Sequence, residues 1–332
     1  MLGYLARRLT TMVVTVFALS FVCFFIIQLP PGDFLTSYLA ELASRGENID
    51  PQLVERLRQQ YGLDQPFVMQ YLLWIGNIFQ GDFGYSFNMS APVGRIMGDR
   101  LGMSLLVEML AIVVLWGMAI PIGIYAAVRQ YSIGDMAATV FGFIGLAVPN
   151  FLLALLIMYL TYLWTGSAVS GLFSAEYANA RWSFERLWDF LQHVWAPVLV
   201  IATGGAAHVI RILRANLLDE LNKPYVVTAR AKGLKERVLV MRYPVRVAMT
   251  PLMATVGWLL PTVISSSIVT SIVLNLPTLS PILLRALLTQ DMHLAGALIL
   301  LIGVLTLIGT LVSDLLLIWI DPRIRIGALK EG

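Results

Sequence analysis

Between Tyr225 and Arg246 the chain reads Y-V-V-T-A-R-A-K-G-L-K-E-R-V-L-V-M-R-Y-P-V-R. Arg230, Lys232, Lys235, Arg237, Arg242 and Arg246 stand there against one acid, Glu236, with long apolar runs on both sides. Bases at this density suit two tasks: holding anionic lipid headgroups or presenting charge to a protein partner. Asn222 and Pro224 are helix-start residues and Gly233 is a natural stop, which predicts a helix of about nine residues. A second helical stretch is predicted over Leu234–Tyr243. Ala229, Ala231 and Gly233 would let another protein's surface approach the first helix closely. A clamp on headgroups accounts for the charges, but not for the Ala-x-Ala-x-Gly surface or the helix-break-helix layout. The spacing favours a protein contact.

Other reactive side chains are sparse. Ser265, Ser266, Ser267, Thr270 and Ser271 form an uncharged hydroxyl patch, suited either to neutral hydrogen bonding along a solute path or to helix packing in a membrane. Glu108 and Asp314 are isolated acids inside apolar runs, too thin a basis for a proton relay. Asp314 lies close enough to the basic C-terminal edge for a structural pairing. His193, His208 and His293 lack metal-ligand spacing, and His208, in T-G-G-A-A-H (Thr203–His208), fits a close helix contact better than a ligand. Cys23 is the single cysteine, so neither an internal disulfide nor a cysteine-built zinc site is possible. No G-x-x-x-x-G-K-[ST], G-x-S-x-G or H-E-x-x-H motif occurs. Two other classes remain as alternatives, an intramembrane enzyme and an ion-coupled secondary transporter or channel, but the sequence shows no nucleophile–base constellation and few buried charges for either.

The elements that carry these side chains must lie in a bilayer. Of 332 residues 58% are hydrophobic and 13% charged, and the mean hydropathy is +0.78, far above a soluble domain. The net charge of +3 is too small and too unevenly placed to argue for nucleic acid. A membrane helix needs about 20 mostly apolar residues. Six such stretches are predicted: Thr10–Leu29, Ser104–Ala127, Ala138–Thr165, Val194–Arg211, Ala248–Ile272 and Leu294–Ile320. Arg7 and Arg8 before the first also fit a secretory signal, but its core is long for one and ends in Q-L-P-P-G-D rather than at a small-residue cleavage site. Arg7, Arg8, Arg129, the bases between Arg211 and Arg246, and Arg323, Arg325 and Lys330 fall on one side. The positive-inside rule puts that side, with both termini, in the cytoplasm.

The segment from Pro30 to Arg100 is then outside, and its acids outnumber its bases. A short helix is predicted at Leu53–Tyr61, stopped by Gly62. Another runs over Phe67–Phe79, with Phe67, Tyr71, Trp74, Ile75 and Ile78 at helical spacing. It suits an interfacial anchor, a docking shelf for an extracytoplasmic partner, or both.

T-A-R-A-K-G-L (Thr228–Leu234), followed by R-Y-P-V-R (Arg242–Arg246), resembles the cytoplasmic loop of the dipeptide/oligopeptide/nickel class of ABC-importer permeases. The likeness runs nearly the whole length: R-R-L (Arg7–Leu9), P-G-D (Pro31–Asp33), Y-G-L-D-Q-P (Tyr61–Pro66), G-D-F-G-Y-S (Gly81–Ser86), P-N-F (Pro149–Phe151) and D-P-R-I-R (Asp321–Arg325). In this order the motifs are highly specific. The resemblance implies an all-α polytopic membrane protein with six transmembrane helices, the type I ABC importer permease fold, in a prokaryotic inner membrane. It implies a sister permease subunit, two cytoplasmic ATPase subunits that bind ATP and Mg, and an extracytoplasmic solute-binding protein, with no cofactor and no catalytic site in this chain. It divides the chain into a cytoplasmic N-terminus and first span (1–29), an extracytoplasmic segment (30–100) and a five-span core (101–332) containing the coupling loop 216–246. Contact with the ATPase then falls on Tyr225, Thr228, Ala229, Ala231 and Gly233.

Val227 stands six residues before Gly233, where the wider importer loop begins with Glu, an acid that members of this class commonly lack. The chain departs from the class itself farther on. At the outer end of the fifth span the class has V-x-E-T-x-F and then P-G-L-G, whereas V-T-S-I-V-L-N-L-P-T-L-S stands at Val269–Ser280. The solute is therefore left open between peptides, oligosaccharides and opines.

Overall fold

The computed structural model describes residues 2–28, 54, 65–86, 88–178, 180–253 and 268–320, and apolar helices dominate them. In chain order these are α1 (Leu2–Gln28), α2 (Phe67–Phe79), a two-stranded antiparallel hairpin of β1 (Tyr85–Ser86) and β2 (Ala91–Pro92), α3 (Val93–Val128), α4 (Ile133–Ala147), α5 (Asn150–Thr165) and α6 (Phe184–Leu221). After them come α7 (Pro224–Ala231), α8 (Glu236–Arg242), α9 (Pro244–Ala248), α10 (Leu279–Leu288) and α11 (Met292–Ile320). Among the described residues α1, α3, α6 and α11 are long and apolar enough to cross a membrane, and the bent pair α4–α5 makes a fifth span if counted as one. Most of the fifth predicted span, Ala248–Ile272, lies outside the described residues, as do most of the predicted helix Leu53–Tyr61 and the motifs at Pro31–Asp33 and Asp321–Arg325.

The third predicted span, a single helix over Ala138–Thr165, is corrected by the structure. It is broken between α4 and α5, which meet at 105°. Pro149 disfavours the helical conformation at the residue before it, and Val148 is extended, with φ −88° and ψ 119°. Pro121 and Pro197, by contrast, sit inside α3 and α6 without ending them.

The chain forms two compact units. In the one made of residues 2–102 and 278–305, α2 forms with the bounds its aromatic spacing predicts, and those aromatics pack on α1. Phe24 lies 5.3–5.6 Å from the rings of Phe67, Tyr71 and Trp74, and the hydroxyls of Ser20 and Tyr71 are 2.8 Å apart. G-D-F-G-Y-S makes the turn into the hairpin: Gly81 and Gly84 have φ of +83° and +84°, conformations that glycine adopts without steric cost. The Gly84 N–H donates to Asp82 Oδ1 at 2.9 Å. Ser86 donates its hydroxyl to Asp291, which also accepts the Leu294 N–H at the start of α11.

The other unit comprises residues 103–277 and the stretch from 306 onward. Its centre is α6, which packs against α4, α5 and α9. Thirty-eight residues give α6 a length of about 57 Å, nearly twice the ~30 Å of a hydrocarbon core. Small residues set its close packing. A Cβ on Gly204 would stand 2.6 Å from Asn150 Oδ1, and one on Gly205 would stand 2.3 Å from Leu115 Cδ1. A Cβ on Gly145 of α4 would lie 3.2 Å from the Ala207 Cβ. The T-G-G-A-A-H stretch is thus a helix-packing seam. Beyond the α5 end, Asp189 of α6 accepts both the hydroxyl and the N–H of Ser174, at 2.7 and 2.9 Å, and Arg186 stacks over Phe173 and Trp182.

Candidate coupling surface

The end of α6 leads through Asn222 and Lys223 into α7, which Pro224 opens at its first turn, where a missing N–H costs nothing. One side chain of α7 is buried, Val226, which is fully enclosed with Leu213 and Leu217 of α6, Leu239 and Val240 of α8 and Val245 of α9. Burying one valine stabilises by about 1.5–3 kcal/mol. A single central anchor holds α7 while the rest of its surface stays open.

The helix stops by a defined device. The Gly233 N–H donates to the Arg230 carbonyl at 3.0 Å and the Leu234 N–H to the Ala229 carbonyl at 3.4 Å, with Gly233 at φ +76°. This is the Schellman arrangement, in which the residue after the cap is left-handed. The same geometry explains the order A-R-A-K-G-L in the sequence. Nothing lies within 4 Å of where a Gly233 Cβ would be, so the glycine is required by backbone conformation and not by space.

Polar bonds fasten both ends of α7. The Tyr225 hydroxyl donates to Glu220 Oε2 at 2.6 Å, and partial burial, then that bond, push the phenol's pKa upward, so it stays a donor. Arg230 donates to Glu236 from Nε at 3.0 Å and Nη2 at 2.6 Å. Thr228 turns its hydroxyl back to the Pro224 carbonyl at 2.9 Å. These bonds link the helix to what precedes and follows it.

The predicted contact residues do not all face one way. Tyr225, Thr228, Ala231 and Gly233 are exposed, whereas Ala229 is half-turned toward the buried cluster around Leu217. The surface also carries apolar side chains: Val227, Leu234, Val238 and Met241 are all exposed, Val227 at 54%.

The hydroxyl patch is placed differently. Thr270 and Ser271 are buried, and the Thr270 hydroxyl has no hydrogen-bond partner among the described residues. Ser265, Ser266 and Ser267 lie outside the described residues. Among the described residues no group of histidine, cysteine and carboxylate side chains is arranged to hold a metal. The Asp135–Arg214 pair, Ser86–Asp291 and Ser174–Asp189 were not anticipated; only Ser132-x-x-Asp135 carries a local signal, that of a helix-capping box.

Residues 119–326 match the family described as binding-protein-dependent transport system inner membrane component, and residues 1–108 match its N-terminal counterpart. The chain is similar, at 31% identity, to the oligopeptide transport system permease protein AppB of Bacillus subtilis, over 98% of this chain and 100% of that one. It is 32% identical to a putative peptide permease protein of Brucella ovis, again over 98% and 100%. A third relative, the oligopeptide transport system permease protein OppB of Mycobacterium bovis, is 29% identical with the same coverage.

Proposed function

The chain belongs to the family of binding-protein-dependent transport system inner membrane components, and from that premise we propose that it is a permease subunit of an ATP-driven importer of peptides. In this proposal six helices cross the inner membrane of a prokaryotic cell with both termini in the cytoplasm. A sister permease completes the path, two ATPase subunits bind ATP and Mg in the cytoplasm, and an extracytoplasmic binding protein delivers the solute. The chain itself performs no catalysis.

The observation that carries the proposal is α7, a short exposed helix pinned by Val226 and closed at Gly233. Its length, single anchor and apolar, basic surface suit insertion into a groove of a partner that moves. Peptide as the solute is supported by the names of the relatives, which are called oligopeptide or peptide permeases. The altered stretch Val269–Ser280 favours a second reading, import of an oligosaccharide or opine.

The test is native co-purification followed by reconstitution. A complex containing two ATPases and a binding protein that carries a peptide, with uptake requiring ATP, is the expected result. Uptake that follows the proton gradient and ignores ATP would refute the importer. A sugar or opine in the binding protein would refute only the solute.

A further inference from the structure

We propose that Asp135 and Arg214 are positioning residues for transport, joining the turn between α3 and α4 to α6 so that displacement of α7 reaches the second and third spans. The proposal rests on α7 being the contact with the ATPase. Arg214 donates to Asp135 twice, from Nε to Oδ1 at 2.7 Å and from Nη2 to Oδ2 at 2.9 Å. Asp135 is 3% exposed. Oδ2 also accepts the N–H of Tyr131 at 2.9 Å, and the Asp135 N–H donates to Ser132 Oγ at 3.2 Å. The carboxylate therefore organises the whole turn, in which Tyr131 has the unusual φ of +63°.

That turn is locked to α3 as well. A Cβ on Gly134 would stand 2.3 Å from the Tyr125 ring, so glycine lets the turn lie directly against it. On the other side, Arg214 follows Leu213 on α6, and Leu213 belongs with Leu217 and Val226 of α7 to one fully buried cluster. A contiguous route runs from α7 through Val226 to the end of α6, and from Arg214 through Asp135 to α3 and α4.

An ion pair is not needed there for stability, because a buried pair replaced on both sides is often no less stable. A two-bond fork differs from apolar packing in direction: it fixes angle and distance together. Apolar surfaces can slide past each other; a fork is either made or broken, which is the two-state behaviour a transmitted movement requires.

The experiment uses the whole complex in nanodiscs and proteoliposomes, with ATP hydrolysis, uptake and thermal stability measured together. The double variant Asp135→Asn/Arg214→Met removes both charges and leaves none unpaired. It should assemble with the ATPases and melt near the wild type, yet take up at least tenfold less solute per ATP hydrolysed. Arg214→Lys, which keeps the charge without the fork, should lie between. A double variant with wild-type uptake per ATP overturns the proposal, and so does one that fails to assemble, because the pair would then be a folding brace. Failure of the importer reading looks different: the wild-type complex itself would show no ATP-driven uptake.

Discussion

Arg230 clasps Glu236 through two hydrogen bonds across the left-handed turn at Gly233, tying α7 to α8. The bond from Arg230 holds the Glu236 pKa below the usual carboxylate value, against slight desolvation. Both side chains are about half exposed, so water and salt screen the pair and its contribution to stability is small. A lowered carboxylate pKa gives stability that is present above the unfolded value of about 4.3 and is lost as pH falls through the folded one. Amide protection at residues 233–236, taken relative to the intrinsic exchange rate at each pH, should therefore be unchanged by this pair between pH 8 and about 5, and should fall below that range. In Glu236→Gln the acid-dependent loss of protection should disappear; an equal loss in that variant would sink the assignment.

Gly233 should discriminate among replacements by backbone conformation alone. With open space around it and φ of +76°, Ala should cost about 1 kcal/mol and Val more, since β-branched side chains resist a left-handed turn. Asn, which visits that region readily, should be tolerated. Uptake by reconstituted complexes should rank Gly, then Asn, then Ala, with Val inactive. Equal activity of Val and Asn would refute the conformational requirement.

Ala229 and Ala231 should separate the folded subunit from its partner contact. Ala231 is exposed, so Ala231→Glu should leave the subunit stably inserted while co-purified ATPase falls severalfold, because a charge would enter a close interface. Ala229 leans on the buried cluster, so Ala229→Glu should lower the thermal stability of the subunit itself. Size-exclusion profiles with subunit stoichiometry report both. Ala231→Glu with normal ATPase content and normal uptake would exclude this face as the contact.

Topology can be read by impermeant thiol labelling in a Cys23→Ala background. Asn88 and Glu176 are exposed, and as cysteines both should be labelled from outside intact cells. Lys235→Cys should be labelled only after permeabilisation. Ser174 is a poor reporter, since its hydroxyl and N–H are both held by Asp189. Labelling of Lys235→Cys in sealed cells would invert the proposed orientation.

Much of this architecture is written locally. Apolar runs of sufficient length dictate α1, α3, α6 and α11 because a bilayer leaves a backbone few ways to satisfy its polar groups. The spacing of Phe67, Tyr71 and Trp74 dictates α2, and Pro224 and Gly233 set the bounds of α7 through their own φ preferences. Such features depend on residues near one another in the chain, and sequence alone exposes them.

The remainder depended on which surfaces meet. Pro149 breaks a span while Pro121 and Pro197 do not, although all three stand in apolar runs: whether a freed backbone group is tolerated is decided by what packs beside it. Ala229 and Ala231 look equivalent in T-A-R-A-K-G-L, but two residues on a helix are about 200° apart, so the side on which Val226 is buried turns one inward and leaves the other exposed. Asp135 and Arg214 are separated by 79 positions. Each looks like an ordinary charge near a membrane surface, and only the packing of α4 on α6 makes them a pair.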